Sequence, residues 1–245
     1  MNYVEVKQYR RPADESVYED VLSHCSRPNR GDGRYTDAHE TAHFISSEIR
    51  NAHRGHNNGF YLAKGKGVLV DHPKITIGDI AGYIPPVLRG FRYQLYLVDQ
   101  RRYWDNEPLY IAEELNCYIL GGSVAVDDAN SGRRLERTDA VAGAFEFSIY
   151  CTALCMAVKD RDSGYWEQNK QFHEFMGMTF ARADTVFEAG RTVPEFDSIS
   201  MNKLARDYET SDEGRRFEEF KAGMRPEPTL IDWSLGLGLL FCLIL

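Results

Sequence analysis

The residues best placed to do chemistry are His39, Glu40 and His43, in the run His39-Glu40-Thr41-Ala42-His43. On a helix, positions four apart share a face, so both imidazoles can grip one Zn²⁺. The carboxylate one position after the first imidazole then stands beside a water held by the metal. Zinc brings the pKa of such a water to about 7, and a neighbouring carboxylate can take its proton as it attacks a carbonyl. That is the chemistry of amide hydrolysis. The bland alternative is a pair of histidines satisfied by ordinary partners, with no metal.

The motif lies inside a segment that reads as a helix, with Ala42, Phe44, Ile45 and Ile49 available for core contacts. In that setting it resembles the active-site helix of the zincin metallopeptidases. The resemblance covers His39 to His43 and the flanking helix, not the whole chain. It implies His39 and His43 as zinc ligands and Glu40 as general base. The metzincin extension of the motif requires glycine at 46 and histidine at 49. Ser46 and Ile49 stand there instead, which removes that branch.

Two imidazoles need a third protein ligand. His53 falls near the same angle as His39, but an unbroken helix carries it about 15 Å along the axis from His43, too far for one ion. Glu48 lies half a rotation away from His39. The ligand is therefore expected from a second element. Gluzincins draw a glutamate from a downstream helix, and Pro108-Leu-Tyr-Ile-Ala-Glu-Glu-Leu-Asn-Cys117 offers two. Glu114 shares a stripe with Tyr110 and Tyr118, whereas Glu113 lines up with Leu109 and Cys117. Glu114 is the expected third ligand and Glu113 the reserve. About seventy residues separate this helix from His43, a spacing unlike the familiar gluzincin pattern.

Other side chains compete for roles. Glu146 sits in the apolar run AGAFEFSIY, where a bare carboxylate costs several kcal/mol. It either orients His39 or His43 through the second ring nitrogen or pairs with a buried arginine. His173-Glu174 lacks a second histidine four residues on and reads as ordinary surface. Tyr103 and Tyr110 are candidates for stabilising the oxyanion of an amide hydrolysis. Arg89 and Arg92 could bind a substrate carboxylate, although ion-pair or surface roles are the simpler reading.

The elements that must position these groups follow from patterning. Tyr3 to Lys7 alternates as a strand does. Thr36 to about His53 reads as one helix, capped by Thr36 or Asp37, with Glu40 completing a capping box from Asp37. Phe60–Leu62, Val68–Val70 and Ile75–Ile77 read as short strands, and 91–98 alternates again, so a small antiparallel sheet is expected here. A peptide substrate could add to its exposed edge. From Glu107 the pattern is helical, with Gly121-Gly122 punctuating the end of the first helix. Further helices are expected at 137–159, 166–189 and 201–222. The fold class is α+β, predominantly helical, with the small sheet beside the helix of His39 and His43. One domain is expected over 1–245: an N-terminal segment (1–35), the motif helix, sheet and third-ligand helix (36–122), a helical subdomain (123–222) and an apolar tail (223–245).

Composition bounds the partners. The chain has 245 residues, 43% of them hydrophobic, and a net charge of −8. That is a globular mixture without the basic surplus of a general nucleic-acid binder. The five cysteines form no C-x-x-C pair, and Cys151 and Cys155 read as buried free thiols. With no apolar signal-peptide core near the start, a cytoplasmic location is expected. The last twelve residues, 234–245, are nearly all apolar yet short for a membrane span, and could contact a hydrophobic partner or a membrane. The expected activity is a zinc hydrolase acting on a peptide or protein. A metal-free helical scaffold, and a zinc hydrolase of a non-peptide amide, are the alternatives.

Overall fold

The computed structural model describes residues 1–53, 58–133, 135 and 139–225. The fold is α+β and mostly helical. Three strands, β1 (Tyr3–Glu5), β2 (Asn58–Ala63) and β3 (Lys66–Val70), form an antiparallel sheet in the order β1-β3-β2. The helices are α1 (Val17–Ser23), α2 (Arg34–Ala52), α3 (Ile77–Tyr83), α4 (Arg101–Trp104), α5 (Tyr110–Asn130), α6 (Ala140–Arg161), α7 (Ser163–Gln168), α8 (Lys170–Gly190), α9 (Ile199–Thr210) and α10 (Asp212–Ala222). The expected strands at 3–7, 60–62 and 68–70 correspond to β1, β2 and β3. The apolar tail call at 234–245 and Cys242 lie outside the described residues.

Three local expectations are corrected. Ile75–Ile77 is not a strand: Thr76 caps α3, in a capping box with Asp79 that satisfies the first backbone N–H groups. Residues 91–98 are not a strand either. Their alternation is that of a π-helical turn, Gln94–Asp99, with Leu97 buried and Leu95 and Val98 exposed. The motif helix begins at Arg34, two residues before Thr36, with Gly33 as its cap at φ +95°, a conformation that favours glycine. Asp37 does not cap α2. Its carboxylate accepts from Gly31 N, Asp32 N and Asn29 Nδ2, so it staples the loop that leads into α2.

The long apolar helices make the core. α6 is apolar and long enough to cross a membrane by composition, but most of it is buried within the protein against α5 and α8. Cys117, Cys151 and Cys155 are buried free thiols there, as is Cys25 by α1. A second apolar cluster joins α2 to α5: Ala38, Ala42, Ile45 and Ile49 pack with Cys117, Leu120 and Val124. Phe44, an expected core contact, is exposed at the surface instead.

The α2–α5 contact sets the geometry of the site, and glycine makes it possible. Helix α5 does not stop at Gly121-Gly122 but continues to Asn130. A Cβ on Gly121 would stand 2.9 Å from the Tyr35 carbonyl oxygen and 3.4 Å from His39 Cβ. The two glycines serve close helix packing rather than termination, on α2 for Gly121 and against Val186 of α8 for Gly122.

Gly121→Ala forces α2 and α5 apart and should cost about 1–3 kcal/mol of stability, as overpacking does. Gly82→Ala, where a Cβ meets nothing within 4 Å, should be neutral or gain up to about 1 kcal/mol from helix propensity. Denaturant melts of both variants check this pair, and equal effects contradict the packing account.

Candidate metal centre

His39 and His43 stand one turn apart on α2, and Glu113 and Glu114 are adjacent on α5. Where the helices meet, His39 Nε2 lies 3.3 Å from His43 Nε2. Glu114 Oε2 lies 3.6 Å from His39 Nε2, and Glu114 Oε1 lies 3.6 Å from His43 Nε2. Each residue offers a ligand atom, all within 4.8 Å of one another. Two donors at a Zn–N distance of about 2.0–2.1 Å and tetrahedral angles stand about 3.4 Å apart. The observed separations match that spacing.

The chemistry of the donors fits a cation as well as the spacing does. Glu114 is 4% exposed, and its Oε2 is buried with no hydrogen-bond partner. A buried carboxylate oxygen left bare is costly, and a metal ion is one of the few groups that compensates it. Burial alone would raise the carboxyl pKa. His43, His39 and Tyr110 outweigh burial and hold it below the usual range, so the group is a carboxylate.

Glu113 does not join this set. Its Oε1 accepts a hydrogen bond from His43 Nδ1 at 2.8 Å, and its Oε2 faces Arg50 at 3.6 Å. With Nδ1 carrying the proton, Nε2 of His43 presents its lone pair toward His39 and Glu114. A carboxylate behind a ligating imidazole fixes the tautomer and raises its basicity. The adjacent glutamates thus divide two tasks, one facing the ligand nitrogens and one orienting a ring.

The imidazoles respond differently to their surroundings. Burial pushes His39 down to about 4, so it is neutral at pH 7. Burial also disfavours the His43 cation, but Cys117, Glu113 and Glu114 outweigh it and raise its pKa. Without a metal, the pair therefore holds its proton on His43.

The remaining calls sort by contact. Glu40 is exposed and makes no hydrogen bond or ion pair among the described residues. Its carboxylate is free to act at the opening beside His39. Tyr110 lies against Glu114: burial and that carboxylate raise its phenol pKa, and Trp104 stacks on its ring at 4.8 Å. Tyr103 is 66% exposed, with Arg102 over its ring, and makes no contact with His39, His43 or Glu114 among the described interactions. Its place in the sequence next to the Glu114 helix does not bring it into the cluster. His53 bonds the Ile49 carbonyl at the end of α2, clear of the site.

Glu146 takes the arginine partner, not a histidine. Arg92 donates to it through NH1 at 3.0 Å and through its backbone N at 2.5 Å. Tyr150 adds its hydroxyl at 2.5 Å, and Asp139 holds the other guanidinium nitrogen. Arg92 is therefore a buried structural cation rather than an open carboxylate receptor. It still reaches the site indirectly: Arg92 Nε donates to the Tyr118 hydroxyl, and the Tyr118 ring packs edge-on against His39 at 4.5 Å. Sequence reasoning named Tyr118 only as a neighbour of Glu114 and missed this wall. The Tyr110-Glu114-Tyr118 stripe was the signal that carried it.

The expected substrate platform differs as well. The β2 edge away from β3 is already covered by side chains: Ser46 accepts from Tyr61 N, while Asn116 and Arg182 donate to the carbonyls of Tyr61 and Leu62. No added strand can pair there while those bonds stand. Comparisons of the chain with protein-family models, curated proteins and solved structures give no match.

Glu114→Ala should lower zinc affinity at least about a hundredfold, while Glu113→Gln should weaken it about 10–100-fold and keep one-to-one stoichiometry. Titration against a chromophoric chelator reads both, and an equal effect of the two substitutions contradicts the division of tasks.

Proposed function

We propose that the protein is a zinc-dependent hydrolase of the zincin type, acting on the amide bonds of a peptide or protein. The observation that carries this reading is the buried, unpartnered oxygen of Glu114 facing two imidazole nitrogens at metal-ligand spacing. His39, His43 and Glu114 would hold the ion. When bound, zinc supplies Lewis acidity to the substrate carbonyl and brings a water's pKa close to neutrality.

The chain's own residues supply the rest. Glu113 keeps the His43 ring in register through Nδ1. Glu40, exposed at the opening, takes the proton of the attacking water and returns it to the leaving amine, which requires the same carboxylate as base and then as acid. Tyr110, with its phenol kept protonated by burial and by Glu114, is a hydrogen-bond donor beside the cluster suited to a developing oxyanion. The Arg92–Tyr118 wall fixes His39 from behind.

Glu40→Gln should retain zinc with unchanged stoichiometry and lose about 10²–10⁴-fold in the rate of peptide hydrolysis. Metal analysis and cleavage of a peptide library by the purified zinc-loaded chain measure the two quantities. Full activity in the variant removes Glu40 from the mechanism. A chain that takes up no zinc on supplementation removes the hydrolase.

A further inference from the structure

A cavity of about 470 Å³ opens next to the metal centre. Tyr35 lines it, and Tyr35 is one helical turn before His39, so the stripe Tyr35, His39, His43 runs along one face of α2. Arg92 lines it too, and Arg92 carries the Tyr118 ring that packs on His39. The cavity thus begins about 6 Å along the helix from the first ligand. A peptide in extended form places alternate side chains on one side about 7 Å apart. A carbonyl held at the cluster therefore leaves a nearby side chain at the mouth of this cavity.

The lining is two-sided. Phe145, Phe196 and Leu204 give an apolar floor, and Phe91 stands at the rim with 80% of its surface exposed. Against this floor stand four carboxylates, those of Asp139, Glu146, Glu195 and Asp197, with Arg92 as the one cation among the described lining residues. That is a formal surplus of three negative charges. The N-termini of α6 and α9 also face the cavity through Asp139 and Ser198. They contribute about half a positive charge each, which reduces the surplus without reversing it. Arg92 is already engaged by Glu146 and Asp139. Asp197 accepts only from the neutral Asn202 amide, and Glu195 has no ion pair among the described residues. These two carry the uncompensated charge.

An apolar floor under free carboxylates matches a long aliphatic stem that ends in a cation. Resting on the hydrolase reading above, we propose that this cavity seats a substrate side chain beside the scissile bond and selects lysine or arginine there. A leucine would fill the floor and leave the carboxylates unanswered. A glutamate would meet like charge.

The test uses the full zinc-loaded chain carrying Glu40→Gln, which binds without turnover. Fluorescein-labelled peptides that differ at one position, Lys, Arg, Leu or Glu, are titrated by anisotropy. The basic peptides should bind about tenfold tighter than the leucine peptide, with a preference that shrinks as salt is raised. Adding Glu195→Gln and Asp197→Asn should collapse the preference to under about threefold with zinc stoichiometry unchanged. Equal affinities, no binding of any peptide, or a preference that survives both substitutions overturns the proposal. Cleavage of the same peptides by the unsubstituted chain separates the two claims. Cleavage without basic preference removes the pocket's role and leaves the hydrolase. Basic-selective binding with no cleavage removes the hydrolase and leaves a cation-selective cavity.

Discussion

A carboxylate taken out of water must be compensated, and the arrangement around Glu114 turns on that constraint. Desolvation of such a group costs several kcal/mol even after relaxation. Glu113 next to it has a donor in His43 Nδ1 and a second cation in Arg50. Glu114 has only ring nitrogens before it, and one of its oxygens has no hydrogen bond at all. A proton on His43 compensates in part, since it lowers the Glu114 pKa despite burial. A dication between the three groups compensates in full and uses the bare oxygen. The same argument explains why two adjacent acids on one helix are not redundant. One must stay unpartnered to be a ligand, and the other must be partnered to hold a ligand still.

That balance depends on how closely two helices approach. His39 and Glu114 belong to elements far apart in sequence, and their separation is set by α2 resting on α5 at Gly121. The apolar seam of Ala38, Ala42, Ile45 and Ile49 against Cys117, Leu120 and Val124 holds the helices in register. On the far side of His39, the Arg92–Glu146 pair keeps Tyr118 against the ring. A buried ion pair contributes little net stability. Here it fixes a side chain that in turn fixes a donor, which is a geometric role.

The motif pair was legible because both residues lie on one helix, and helical periodicity places them without tertiary information. Glu114 could be singled out from Glu113 by its tyrosine stripe, and the structure places it with His39 and His43. The role of Glu113 was not legible, since a reserve ligand and an orienting carboxylate differ only in which side of the imidazole they meet. Tyr103 was misplaced because adjacency in sequence says nothing about the direction of an exposed ring. Gly121-Gly122 was read as a helix end from propensity alone. Its reason for being glycine is a neighbour on α2, some eighty positions away, which no local pattern contains. The π-helical turn at Gln94–Asp99 imitated a strand because its exposed and buried residues alternate over a short run. The cap at Gly33 was passed over because Asp37 has the right type for a cap, and the structure spends that carboxylate on the preceding loop.

The ligand set itself admits a direct measurement. X-ray absorption at the zinc edge, on the full chain loaded with one equivalent of the metal, reports which atoms surround the ion. The account predicts a four-coordinate spectrum with two imidazoles and carboxylate or water oxygen at about 2.0–2.2 Å, and no sulfur. A six-coordinate all-oxygen spectrum, or a sulfur shell at about 2.3 Å from Cys117, contradicts it.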